Sequence, residues 1–513
     1  MAPGIALAAA LAATFIGIHY GTYTAGDSDP YGYVSEADLI ARGSLRVEQQ
    51  FARTMPWPLP EWTFAPLGYR PAPEHGFIVP TYPAGLPIVM ALFERARGPA
   101  GVFYAVPLLG ALAIVATWRL GAALYGEAAG IMSAVLLASS PTFLLQLIQP
   151  VSDVPAAAWW ALSLALVVRD SPAAAFASGL AASAAILTRP NLVPLAGVLF
   201  VFLAGRTPMR RLVLFTVGVV PGCLAVAAIN AHLYGSAFRS GYAQLHALYA
   251  WANAVPNLDR YPRWIVESDT PFMCLALVAA WLGVRNRAAA RVLLGFAVVV
   301  FVSYLFYIPF GRDDVAYLRF LLPAYPALVV LSVGAAMELA MRFGVRRATL
   351  VAAGVCAIVG VVNVRTAAAR HVLALRDYES RYVDLGRYVA QATPQNALFV
   401  SGLHCGSIRY YSGRLTLRYD LLQPGWLDEA IRTLRSRGYH PYIALEEGEE
   451  PDFRQQFEGF SELARLDWPP AAERREPVRV RIYDPADRAR FLAGEGIVTG
   501  DIRLRTKPTL TKK

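Results

Sequence analysis

Two carboxylates, Asp27 and Asp29, stand two positions apart in Gly26-Asp27-Ser28-Asp29-Pro30-Tyr31-Gly32-Tyr33-Val34-Ser35-Glu36-Ala37, just after an apolar N-terminal run. Carboxylates so placed can take a proton from a nucleophile or hold a divalent cation. They also read as solvated loop residues or helix caps, and taken alone that plainer reading is the better one. A third acid, Asp153, follows in Gln149-Pro150-Val151-Ser152-Asp153-Val154-Pro155, again at the end of an apolar run. Nothing in the chain has the order of a Ser/His/Asp triad, a phosphate-cradling Gly-rich loop or a Cys/His ligand set. Cys223, Cys274 and Cys356 lie in apolar runs and Cys405 in polar sequence, so neither a disulfide framework nor a zinc site is expected.

The elements that must position these acids are membrane helices. Of the 513 residues, 56% are hydrophobic and only 16% charged, whereas a soluble domain carries about 25% charged residues. Stretches of the length a bilayer requires fall at about 4–20, 101–118, 129–148, 153–168, 173–188, 191–205, 212–230, 271–284, 292–309, 320–338 and 348–364. A further apolar segment at 86–93 is too short to span and reads as a juxtamembrane helix. The first run lacks a basic n-region and is followed by further spans, so it is expected to stay as an anchor.

With the N-terminus cytoplasmic, the inner loops hold Arg119, Arg169, Arg206, Arg210, Arg211, Arg285, Arg287, Arg291, Arg342, Arg346 and Arg347. Counting 86–93 as a span would move these arginines outside, so the positive-inside rule favours eleven spans in an inner (plasma) membrane. Topology thus accounts for much of the net charge of +10, and nucleic acid is not expected as a partner. The three lysines, Lys507, Lys512 and Lys513, all lie at the C-terminal end.

The outer face then carries a first loop (21–100), a second (231–270) and a polar region (365–513), dividing the chain into a membrane domain, 1–364, and an extracytoplasmic domain, 365–513. In the latter, strands are expected at 397–400, 442–445 and 478–483 and a helix at 427–437, which together make a small α/β domain. Trp57, Trp62, Phe64 and Tyr69 read as an interfacial aromatic belt.

Asp29, Tyr33 and Ala37 share a four-residue spacing that Asp27 does not fit. With Tyr-Pro-x-Gly-x-Pro at 82–87, Ser-Asp-Val-Pro at 152–155 and Arg-Phe-Leu-Leu-Pro-x-x-Pro at 319–326, this constellation resembles the GT-C fold polyprenyl-phosphate-dependent glycosyltransferases. The nearest group is the bacterial protein O-mannosyltransferases and the aminoarabinose transferase that modifies lipid A. The resemblance covers residues 1 to about 330 best. It implies an α-helical polytopic membrane enzyme whose donor is a sugar on polyprenyl phosphate, with membrane lipids and an extracytoplasmic acceptor as partners. It places the catalytic carboxylate at Asp29, with Asp27 assisting and Tyr33 and Tyr82 as substrate-binding candidates. Those relatives carry Glu directly after the catalytic Asp, whereas Pro30 stands here, which leaves the substrate and any metal use open.

On that reading the acceptor attacks the anomeric carbon with inversion, and positive charge stabilises the departing phosphate. Arg319 suits that role, since a guanidinium can bond phosphate oxygens in pairs, and it equally suits a snorkelling helix end. Arg189 is a second outer-end arginine whose plainer role is anchoring. Asp153 is a substrate-binding candidate and, with Asp29, a candidate divalent-metal ligand. His75 is a candidate sugar or phosphate contact, and Arg312, Asp313 and Asp314 form a polar loop cluster. A polytopic transporter would place charges near mid-bilayer and break its helices in paired repeats, and neither is seen. A non-catalytic envelope-assembly protein, the other alternative, would need only the C-terminal domain as its binding surface, and the first-loop acids argue against it without removing it.

Overall fold

The computed structural model describes residues 2–205, 208–242, 248–279, 281–282, 287–311, 313–343 and 347–502. Among these, five helices are long and apolar enough to cross a membrane: Pro99–Tyr125, Met209–Tyr234, Arg287–Leu305, Val315–Arg342 and Ala348–Ala369. Pro3–His19, Asp153–Val167, Pro172–Thr188 and Pro190–Ala204 are shorter apolar helices. The expected span 129–148 is a broken one, Glu127–Ser139 and Pro141–Leu147 meeting at 62°. Pro141 cannot donate to the preceding turn, and the Ser140 hydroxyl instead caps the new helix by accepting from the Phe143 amide at 3.2 Å. The expected span 271–284 begins as Pro271–Cys274 and Leu275–Ala279, and its end lies outside the described residues. Arg206, Arg285, Arg312, Arg346, Lys507, Lys512 and Lys513 also lie outside them.

Small residues let the membrane helices approach closely. A Cβ on Gly218 would fall 2.5 Å from the Phe176 carbonyl oxygen, and one on Gly179 would fall 2.2 Å from that of Phe215. Pro221 interrupts the hydrogen bonding of Met209–Tyr234, and Ser183 on the neighbouring helix repairs it. The Ser183 hydroxyl accepts from the Gly222 amide at 2.7 Å and lies 2.8 Å from the Gly218 carbonyl oxygen. Polar backbone freed inside a membrane has no water to turn to, so such repair is what makes the proline tolerable.

The first loop is a structured layer. Helix Asp29–Ala41 starts with Pro30 in its first turn, where the missing N–H costs nothing. The juxtamembrane helix is Gly85–Arg97, which buries Leu86, Met90 and Ala91 and exposes Leu92. Between them, Phe77–Pro80 is the central strand of an antiparallel sheet with Val47–Glu48 and Tyr69–Pro71 on its edges.

The C-terminal region is the expected α/β unit, built on a six-stranded sheet. Ala397–Ser401 pairs in parallel with Leu415–Arg418 and His440–Glu446, and His440–Glu446 pairs antiparallel with Val480–Tyr483. Side chains alternate across it: Leu398 and Val400 face one core, Ala397 and Phe399 the other. Leu427–Ser436 buries Leu427, Ala430, Ile431 and Leu434 at helical spacing. The first loop enters this unit, since Ala52, Met55, Trp57 and Phe64 share a core with Leu398, Ile443 and Leu445. The aromatic-belt expectation is therefore corrected for Trp57 and Phe64, which are 2% and 0% exposed. An interfacial aromatic keeps one edge wet, whereas these complete a sheet face that would otherwise be bare.

Candidate active site

A cavity of about 990 Å³ opens beneath the layer formed by the first loop. Asp27, Ser28 and Asp29 line it from the loop after the first helix, and Tyr33 from one turn further on. Tyr82, Arg189 and Arg319 complete the wall, together with Asn191, Tyr242, Tyr304, Tyr307 and Tyr317.

Four of the predicted residues form an alternating row of charge. Arg319 donates to the Asp29 carboxylate at 2.6 Å, while its other terminal nitrogen stands 3.9 Å from Asp153 Oδ2. Arg189 donates to Asp153 Oδ1 at 2.5 Å and to the Ser152 hydroxyl at 3.2 Å. Asp153 lies behind the lining and is 1% exposed, at the first position of helix Asp153–Val167, where the macrodipole favours a negative charge. Asp153 Oδ2 and Arg319 Nε are both buried without a hydrogen-bond partner, so the row holds spare bonding capacity on each sign of charge.

Local backbone explains why these side chains meet. Arg189 caps the C-terminus of Pro172–Thr188 in a non-helical conformation, and Pro190 forbids continuation. Its side chain therefore leaves the helix direction and turns towards Ser152 and Tyr304, whose hydroxyl is 3.3 Å away. Arg319 sits in the 3₁₀ turn Val315–Ala324, with its guanidinium 5.2 Å from the Phe320 ring centre. Tyr33 donates to Ser152 at 2.9 Å, and Tyr82 shares a 2.6 Å hydrogen bond with Ser28 between the two acids.

The two loop carboxylates differ electrostatically. Burial pushes Asp27 above the usual aspartate range, and the negative charge of Asp29 adds to this. Burial also acts to raise Asp29, but the Arg319 charge and hydrogen bonds from Tyr82 and Arg319 hold it below that range. Asp27 adopts a left-handed backbone, φ 51°, which a short polar side chain tolerates better than most.

His75 stands apart from this group: its ring bonds Glu61 at 3.1 Å on the surface, with 73% of the side chain exposed. Asp313 pairs with Arg263 at 3.4 Å, also on the surface. The two candidate metal ligands, Asp29 and Asp153, are paired here with the guanidinium groups of Arg319 and Arg189. The described residues contain no group of three His, Cys, Asp or Glu side chains arranged for a metal. Sequence reasoning missed Asn191, Tyr304, Tyr307 and Glu379 of the lining. Asn191 was within reach, next to Arg189-Pro190, and Tyr304 and Tyr307 are polar interruptions of an apolar run.

The cavity, the long first loop and the C-terminal α/β unit belong to a helical membrane protein of the GT-C fold. ArnT from Cupriavidus metallidurans in its apo state is similar with a TM-score of 0.56, at 15% identity over 88% of this chain and 94% of that one. The same protein bound to undecaprenyl phosphate gives 0.53, at 14% identity over 93% and 97%. The apo oligosaccharyltransferase of Archaeoglobus fulgidus gives 0.53, at 13% identity over 88% of this chain and 70% of that one. No protein-family profile matches the sequence, and neither does any curated protein.

Proposed function

We propose that this chain is a membrane glycosyltransferase that moves a sugar from a polyprenyl-phosphate carrier to an extracytoplasmic acceptor, a lipid, glycan or protein. The observation that carries the reading is the Asp29–Arg319–Asp153–Arg189 row on an outer cavity that also holds Asp27. One wall brings together acids able to take a proton and arginines able to hold a phosphate. A structure with the same fold binds undecaprenyl phosphate, which supports a lipid-linked donor.

The acceptor hydroxyl or amine attacks the anomeric carbon from the face opposite the phosphate. The new bond forms as the bond to the phosphate oxygen breaks, and configuration inverts. Arg319 and Arg189 offset the charge that grows on the leaving phosphate. Asp29 takes the proton, with Asp27 as the second carboxylate. When the donor phosphate competes for Arg319, Asp29 loses the charge that holds its pKa down and becomes a stronger base. Tyr82 holds Ser28 between the two acids, Tyr33 holds Ser152, and the Asp153 carboxylate holds Arg189.

The test is to supply radiolabelled undecaprenyl-phosphate monosaccharides, one at a time, to membranes containing the protein. Transfer of label from one of them to a membrane acceptor, lost in Asp29→Asn, is expected. Full transfer by Asp29→Asn would remove the base assignment.

A further inference from the structure

The C-terminal unit reaches the cavity through helix Leu375–Ala392, whose Leu375 and Glu379 lie in its lining. On the same helix Tyr382, 1% exposed, packs its ring against Gly26, the residue before Asp27. The fit leaves no room for a side chain, because a Cβ on Gly26 would lie 2.2 Å from a Tyr382 ring carbon. The Ala25 amide donates to the Tyr411 hydroxyl at 2.8 Å, and Tyr31 packs against Gly406 in the same close manner. The segment carrying Asp27 and Asp29 is therefore gripped at 25, 26 and 31 by residues more than 350 positions away.

Tyr382 is itself held. Arg381 donates to its hydroxyl at 3.1 Å and lies 4.3 Å from its ring centre, and the His404 ring packs against it at a tilt of 48°, 4.7 Å between centres. Arg381 also bonds Glu446 at 2.6 Å and Glu379 at 3.1 Å, and His404 Nε2 lies 3.0 Å from the same Glu446 oxygen. No solvent-facing role explains so many bonds to one buried guanidinium. Left-handed Asp27 is a conformation that persists only where surroundings over-determine it.

We propose that Tyr382, fixed by Arg381, is a positioning residue for the Asp27–Asp29 carboxylates, so that the C-terminal unit is a working part of the catalytic cavity. This rests on the transferase reading above. The purified full-length protein is assayed with an extract of envelope acceptors and, from a panel of radiolabelled undecaprenyl-phosphate monosaccharides, the one that the wild type consumes. Gly26→Ala pushes the acids from the ring and lowers kcat by about 10-fold or more, with donor KM within about 2-fold, since misplacement of reacting groups costs rate before binding. Tyr382→Ala also lowers kcat, and Tyr382→Phe recovers most of that loss. In the double variant Gly26→Ala/Tyr382→Ala the new methyl enters the vacated space, so the two losses do not multiply.

Multiplying losses, a normal kcat in Gly26→Ala, or KM and kcat worsening together would overturn the proposal while leaving the transferase reading intact. A wild type that consumes none of the panel overturns the transferase reading, and the positioning role falls with it.

Discussion

Arg189→Met tests whether the charge row is an interdependent unit. Arg189 and Asp153 have side chains 10% and 1% exposed and meet at 2.5 Å. Removing one member of a buried pair leaves the other charged without compensation, at a cost of about 3–5 kcal/mol. Arg319, 3.9 Å away, cannot fully take over because it is committed to Asp29. For 513 residues the unfolding entropy is about 1.1 kcal/mol/K. The substitution should then lower the midpoint of thermal unfolding in detergent by about 3–5 °C. Adding Asp153→Asn removes the stranded charge and should restore most of that midpoint. Turnover should stay low in the double variant, because the charge that would hold the phosphate is still missing. Equal midpoints for wild type and Arg189→Met, or a double variant worse than both singles, would refute the reasoning.

Other outcomes follow from the same geometry. Gly218→Val should destabilise the chain by driving a side chain into the Phe176 carbonyl, and thermal unfolding with fluorescence detection reads this. Burial pushes Glu449 up to about 7 from an ordinary 4.5. The protonated side chain is favoured in the folded protein, so a contribution of about 3 kcal/mol, fully present below pH 4.5, is lost as pH rises through about 7. Glu449→Gln should flatten stability across this window in a pH series of unfolding curves. His75→Ala should keep turnover within about 2-fold of wild type, since the side chain is surface-exposed and outside the cavity lining.

How much was legible in the sequence divides along physical lines. Apolar runs and turn residues are local signals, so most of the apolar helices and the strands at 397–401 and 440–446 were read close to their observed bounds, whereas the break at Ser140–Pro141 inside 129–148 was not. The acids and arginines of the site were also legible, because charge at the end of an apolar run is conspicuous. Their pairing was not. Asp29 and Arg319 are 290 positions apart, and only tertiary structure decides that Arg319 serves a carboxylate. The burial of Trp57 and Phe64 in the C-terminal core was hidden for the same reason: an aromatic in a loop carries no mark of the sheet it will cover. Tyr382 and Glu379 lay in what read as a separate domain, with nothing local pointing back to Asp27.

The most direct test of the central claim is a single reconstitution. Purified protein in proteoliposomes is given a radiolabelled undecaprenyl-phosphate monosaccharide and an extract of envelope acceptors, and labelled sugar is followed as bonded product and as transbilayer flux. Label covalently attached to an acceptor is expected, abolished by Asp29→Asn and strongly reduced by Asp27→Asn. Flux of the substrate across the bilayer with no sugar transferred would contradict it and mark the protein as a transporter.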